Sequence, residues 1–182
     1  SVEGKLPEWL RGRLLRNGPG QWVAHDGSRS YTHAFDGLAK LVCFEVAEDG
    51  AVHFSTRFLR TDWYKQTSRG AIPPSVTVGP VQPPWSVVEG ITAALTGPAF
   101  DNTPVNIHKL GGGDRWVAVT DSPALIEFDP LTLETLGRVD GTATPIMGQS
   151  KRLGLSVPGI EAFSTAHPQR HPQTGETLNY HL

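Results

Sequence analysis

One cysteine and one methionine occur in 182 residues. The single Cys43 excludes an intrachain disulfide, and with it a small domain stapled by cystines. It sits in an apolar run, Leu41-Val42-Cys43-Phe44, and reads as a small buried hydrophobe. No apolar run approaches the ~20 residues that a membrane-spanning helix needs. The N-terminus has no apolar signal-peptide region and no Met, so the compartment stays unread, cytoplasm and plastid alike. The net charge is only −2, which gives no electrostatic case for nucleic acid or an anionic membrane surface. Signature chemistry is scarce too. There is no Cys-x-x-Cys pair, no Gly-x-Ser-x-Gly elbow and no phosphate-binding Gly-x-Gly-x-x-Gly after a strand.

What the chain has in excess is glycine and proline, 20 and 15 residues. That composition breaks long helices and favours short strands joined by turns. Pro7 suits the first turn of a short helix through Trp9 and Leu10, ended by Gly12. Residues 13–16 then read as a short strand, and Asn17-Gly18-Pro19-Gly20 as a turn. Strand-like runs follow at 21–24 and 30–33, joined by His25-Asp26-Gly27-Ser28. The next two, at 39–46 and 51–59, flank Glu48-Asp49-Gly50. Residues 62–100 are a Pro-rich excursion with one or two helical turns near Ile91 to Leu95. Four more strands are predicted at 105–110, 115–120, 124–128 and 134–139. Gly111-Gly112-Gly113 and Asp129-Pro130-Leu131-Thr132 are turns between them, the rhythm of one propeller blade or part of a sandwich. A second excursion spans 141–162. No helical periodicity supports parallel βαβ units.

The candidate chemistry lies near the C-terminus, in Ser164-Thr165-Ala166-His167-Pro168 and the following Gln169-Arg170-His171-Pro172. Pro168 and Pro172 keep His167 and His171 off one helical face, so they cannot share a zinc as an i,i+4 pair. If His167 binds a metal, its co-ligands come from elsewhere. Asp36, Asp101, Asp121, Glu127, Glu134 and Glu161 are scattered carboxylates, and their spacing shows no acid/base pair.

Seven stretches, taken together and in order, resemble the carotenoid cleavage oxygenase family. They are Pro7-Glu8-Trp9-Leu10-Arg11-Gly12, Leu15-Arg16-Asn17-Gly18-Pro19-Gly20, Tyr31-Thr32-His33-Ala34-Phe35-Asp36-Gly37, Ser55-Thr56-Arg57-Phe58-Leu59-Arg60-Thr61, Asp101-Asn102-Thr103-Pro104-Val105-Asn106, Asp129-Pro130-Leu131-Thr132-Leu133-Glu134-Thr135 and Thr165-Ala166-His167-Pro168. The resemblance implies an all-β fold: residues 1–182 as the N-terminal part of one seven-bladed β-propeller, with short helices and long loops. It implies a non-haem Fe(II) held by four histidines, with an apolar tunnel leading to it. The implied reaction adds O₂ across a conjugated double bond of a carotenoid or apocarotenoid and gives two carbonyl products. Imidazoles suit Fe(II) with positions left open for O₂.

His167 matches the first family ligand, and the other three are expected beyond this chain. The family glutamate that hydrogen-bonds an iron-bound histidine falls at Asp121, one methylene shorter, a position of the kind that orients a metal ligand. The segment from Asp121 to His167 is longer than the family pattern. Arg16, His33 and Asp36 match structural positions. Three further expectations follow. The isolated chain is inactive. A truncated, non-catalytic fragment that binds a lipid-like ligand or a partner chain is the alternative. Ile72, Trp85, Val87, Val88, Ile91 and Leu95 form either a patch for peripheral membrane contact or part of an ordinary packed loop.

Overall fold

The structure is a computed structural model and describes residues 4–70, 72–74, 77–96, 101–110, 114–122, 124–139 and 165–179. The expected turn at 111–113, the excursion at 141–162 and Glu161 lie outside the described residues. In chain order the elements are β1 (Gly12–Pro19), β2 (Ser30–Tyr31), a 3-10 turn (Ala34–Asp36), β3 (Ala39–Val46), β4 (Val52–Phe58), α1 (Asp62–Arg69), β5 (Val81–Gln82) and α2 (Val87–Thr96). They continue with β6 (Asn106–Leu110), β7 (Arg115–Val119), β8 (Ile126–Phe128), β9 (Thr135–Arg138), β10 (Gln169–Arg170) and β11 (Thr177–Leu178). The sheets run β1-β3-β4 and β6-β7-β8-β9, with the pairs β2-β5 and β10-β11 besides. All these pairings are antiparallel. The second sheet is the four-stranded meander that its turn spacing predicts. Its β8–β9 corner is built by Asp129, whose Oδ1 accepts from the N–H groups of Leu131 at 2.7 Å and Thr132 at 2.9 Å.

Three local expectations are corrected. The turn residues Asn17-Gly18-Pro19 are the end of β1, in register with Leu41, Lys40 and Ala39 of β3. Proline is tolerated there because it is the last residue of an outer strand. The helix expected after Pro7 is only a turn, closed by Leu10 N–H to Pro7 O at 3.1 Å. The hairpin at 21–33 shrinks to a bridge between Val23 and Ser30, and β2 pairs with β5 instead.

The Pro-rich excursion contains two helices, and α1 went unforeseen. Thr61 caps it through Tyr64 N–H at 3.1 Å. The Asp101 carboxylate accepts from Asp62 N–H at 2.8 Å and Trp63 N–H at 2.9 Å. A helix this short owes its stability to such caps and to packing rather than to propensity. Its buried Trp63 anchors a cluster with Tyr31, Leu38, Ile72 and Val81.

The main core lies between the two larger sheets. Leu41 and Cys43 of β3, with Leu59, face Ala118, Ile126, Phe128 and Leu133. Cys43 is buried as expected. Each large side chain here contributes ~1.5–3 kcal/mol through burial. A segment just before β6 locks this arrangement. Asn102 accepts from Ala39 N–H at 2.8 Å and donates to Gly37 O at 3.0 Å. The architecture is mostly sheet, two packed sheets with short helices.

Candidate functional site

His167 sits in a bend just before β10, with its side chain exposed. The bend holds its place through the groups around it rather than through a regular element. Thr165 Oγ1 accepts from His167 N–H at 3.1 Å, and Asn179 donates to Thr165 O at 3.3 Å. Between them Ala166 is fully buried. Its N–H donates to Asp121 Oδ1 at 2.8 Å, and its carbonyl accepts from Asn106 Nδ2 at 3.1 Å. The same Asn106 nitrogen lies 3.4 Å from His167 Nδ1. Asp121 follows β7 and Asn106 begins β6, so the first two strands of the second sheet aim both side chains at the bend. Lower down, His108 of β6 meets Thr177 Oγ1 of β11 at 3.0 Å. Burial, with the Arg170 charge second, holds His108 below the ordinary imidazole range.

The structure therefore brings Asp121 to the neighbour of His167. The atom it touches there is a backbone N–H. His171 stands apart: its Nδ1 accepts from Thr174 N–H at 3.1 Å inside the β10–β11 turn. Asn106, which touches the bend, and His108 were not singled out from the sequence. Asn106 lay in one of the family-like stretches, but nothing in a single sequence joins it to a residue 61 positions later.

The other candidate carboxylates among the described residues have structural partners. Asp36 accepts from Val78 and Gly79 N–H, Glu127 pairs with Arg115, and Glu134 pairs with Arg57. His33 caps the 3-10 turn through Phe35 N–H. The proposed membrane patch is corrected in part. Ile72 is fully buried against Trp63, and Trp85 is half-buried with its indole N–H on Ile72 O at 3.0 Å. Val87, Val88 and Ile91 of α2 remain exposed, at 79%, 73% and 58%. The Leu95 side chain lies outside the described residues.

No group of three or more His, Cys, Asp or Glu side chains converges on an ion position among the described residues. An exposed imidazole rooted in a pinned bend fits one metal ligand. It does not by itself make a metal site, because stable binding takes several donors.

The sequence profile of the family described as retinal pigment epithelial membrane protein matches residues 1–182. The beta,beta-carotene 15,15'-dioxygenase of Gallus gallus is 37% identical over 184 residues, which covers 98% of this chain and 31% of that protein. Among solved structures, a single-residue variant of the Synechocystis apocarotenoid oxygenase matches with a TM-score of 0.71 at 26% identity. The cobalt-substituted form of the same enzyme matches at 0.69 and 26%, so metal binding is a property of the family. Each covers 100% of this chain and 34% of the other. The chain thus spans about a third of the length of the relatives it matches. With its fold a partial propeller, the chain belongs to the retinal pigment epithelial membrane protein family, which includes the carotenoid dioxygenases.

Proposed function

We propose that this chain is the N-terminal portion of a non-haem Fe(II) dioxygenase. Its substrate is a carotenoid or apocarotenoid, cleaved with O₂ at a conjugated double bond into two carbonyl products. The observation that carries this reading is the 37% identity with a beta,beta-carotene 15,15'-dioxygenase across 98% of the chain, with His167 in an anchored bend. In this reading His167 is one of four histidine ligands, and Asp121 helps to fix where it stands. Fe(II), when bound, supplies the redox centre that O₂ chemistry requires. The chain's own share is to root one ligand, and the packed second sheet supplies the rigid base for it.

A single imidazole is one quarter of such a ligand set, so the 182 residues alone are expected to be inactive. The exposed Val87, Val88 and Ile91 of α2 support a shallow membrane contact that would suit a polyene taken from a bilayer. The decisive experiment measures iron content and apocarotenoid cleavage in the intact protein, wild type against His167→Ala. Loss of both supports the reading. Unchanged iron in the variant removes His167 from the site.

A further inference from the structure

The side chain facing the His167 ring belongs to Asn106, and its orientation is not free. Asn106 Oδ1 accepts from Ile107 N–H at 2.8 Å, and Nδ2 donates to Ala166 O at 3.1 Å. Turning the amide over would set an oxygen against the Ala166 carbonyl and an N–H against the Ile107 N–H. Both contacts would be repulsive. The atom 3.4 Å from His167 Nδ1 is therefore the amide nitrogen, which only donates. The distance is long for a hydrogen bond, but the donor sense is fixed. A donor at Nδ1 selects the ring form whose lone pair is at Nδ1 and whose proton is at Nε2.

From this we infer that Asn106 is a positioning residue for His167. Its amide does two things at once. It holds the bend through the Ala166 carbonyl, opposite the Asp121 hold on the Ala166 N–H. It also keeps the neutral, metal-free ring in its Nε2–H form. A neutral imidazole binds a metal through the nitrogen that lacks the proton. In this form that nitrogen is the one facing Asn106, so the arrangement is a holding position: the ring must turn away from Asn106 or move its proton before it can ligate. The bearing on metal rests on His167 being a ligand. The contact and the ring form do not.

The test uses the intact protein, stripped of metal with a chelator and labelled with ¹⁵N-histidine, at about pH 8, above the ordinary imidazole range. The His167 ring signals are those absent from His167→Ala. The Nε2–H form is expected in the wild type, and an Nδ1–H form there overturns the inference without need of any variant. Asn106→Leu removes the donor at similar size and adds no charge. It should let the Nδ1–H form appear beside the Nε2–H form, and a ring still wholly in the Nε2–H form in a folded variant also overturns the inference. Asn106→Ala should speed amide exchange at Ala166 and His167 by about tenfold, the equivalent of one hydrogen bond. Exchange unchanged from wild type counts against the hold on the bend. Iron measured in His167→Ala separates the two readings. Iron retained there sinks the functional proposal and leaves the ring result standing. Iron lost there with no ring change in Asn106→Leu sinks only the role of Asn106.

Discussion

The two larger sheets are built from similar residues and differ in how many of their faces are covered. In β7 three consecutive residues, Val117, Ala118 and Val119, are all buried, so both faces of that strand are shielded from water. Ala118 faces the first sheet, while Val117 and Val119 pack with Val139 on the other side. Among the described residues the first sheet is covered on one face only. Its inner face carries Leu41 and Cys43. Its outer face carries a cross-strand row in register, Leu14, Phe44 and Phe54, exposed at 59%, 39% and 60%. Apolar residues in register on an open sheet face are costly in water and mark a surface built for contact. In a propeller each sheet has a neighbour on either side. Among the described residues the first sheet has one, and its outer row is left in water.

Four substitutions or titrations can break or sharpen that contrast. Phe128→Ala strikes the interface the sheets share and should cost ~3–5 kcal/mol in urea unfolding. A loss under about 1 kcal/mol would mean the sheets do not depend on each other. Asn102→Ala leaves the buried Ala39 N–H and Gly37 O without their partners, at about 2–3 kcal/mol. Its effect should fall on the first sheet, seen as faster amide exchange in β3 than in β7. The third test is of pH. Folding lowers the affinity of His108 for a proton, through burial first and Arg170 second. The unfolded chain therefore binds more protons just below 6.5, the ordinary value. The stability that depends on a neutral His108 is complete above that pH and is lost as pH falls below it. His108→Gln should flatten the dependence of the thermal midpoint in that window. Leu14→Thr with Phe54→Thr is expected to have the smallest effect, about 1 kcal/mol, because both side chains are more than half exposed and lose chiefly their cross-strand contacts with Phe44. The pair should also reduce self-association by light scattering. A large loss of stability would show that the outer face is packed in solution.

The second sheet was legible because its order is local: each strand pairs with the next across a short turn, and the Asp129 corner advertises itself. The last residues of β1 were misread for the opposite reason. Asn17, Gly18 and Pro19 have turn propensities, and a partner strand 20 to 24 residues away overrides them. The helix α1 was invisible because one of its caps, Asp101, lies 38 to 39 residues from the backbone groups it holds. His167 was singled out by the histidine and proline cluster near the C-terminus, and Asp121 by the family resemblance alone. Asp121 lies beside Ala166, the neighbour of His167, and its contact there is with a peptide N–H. No residue-type rule distinguishes that from a contact with the ring.

The bonds that root His167 close over long stretches of chain, 45 residues from Asp121 and 60 from Asn106. Closing such loops costs entropy that short hairpins do not pay, so the bend is ordered late in folding, after the β6–β9 meander offers both side chains. On the proposed function, His167 then takes its place after the meander, and a metal arriving early would meet a histidine still free to bind it in the wrong surroundings.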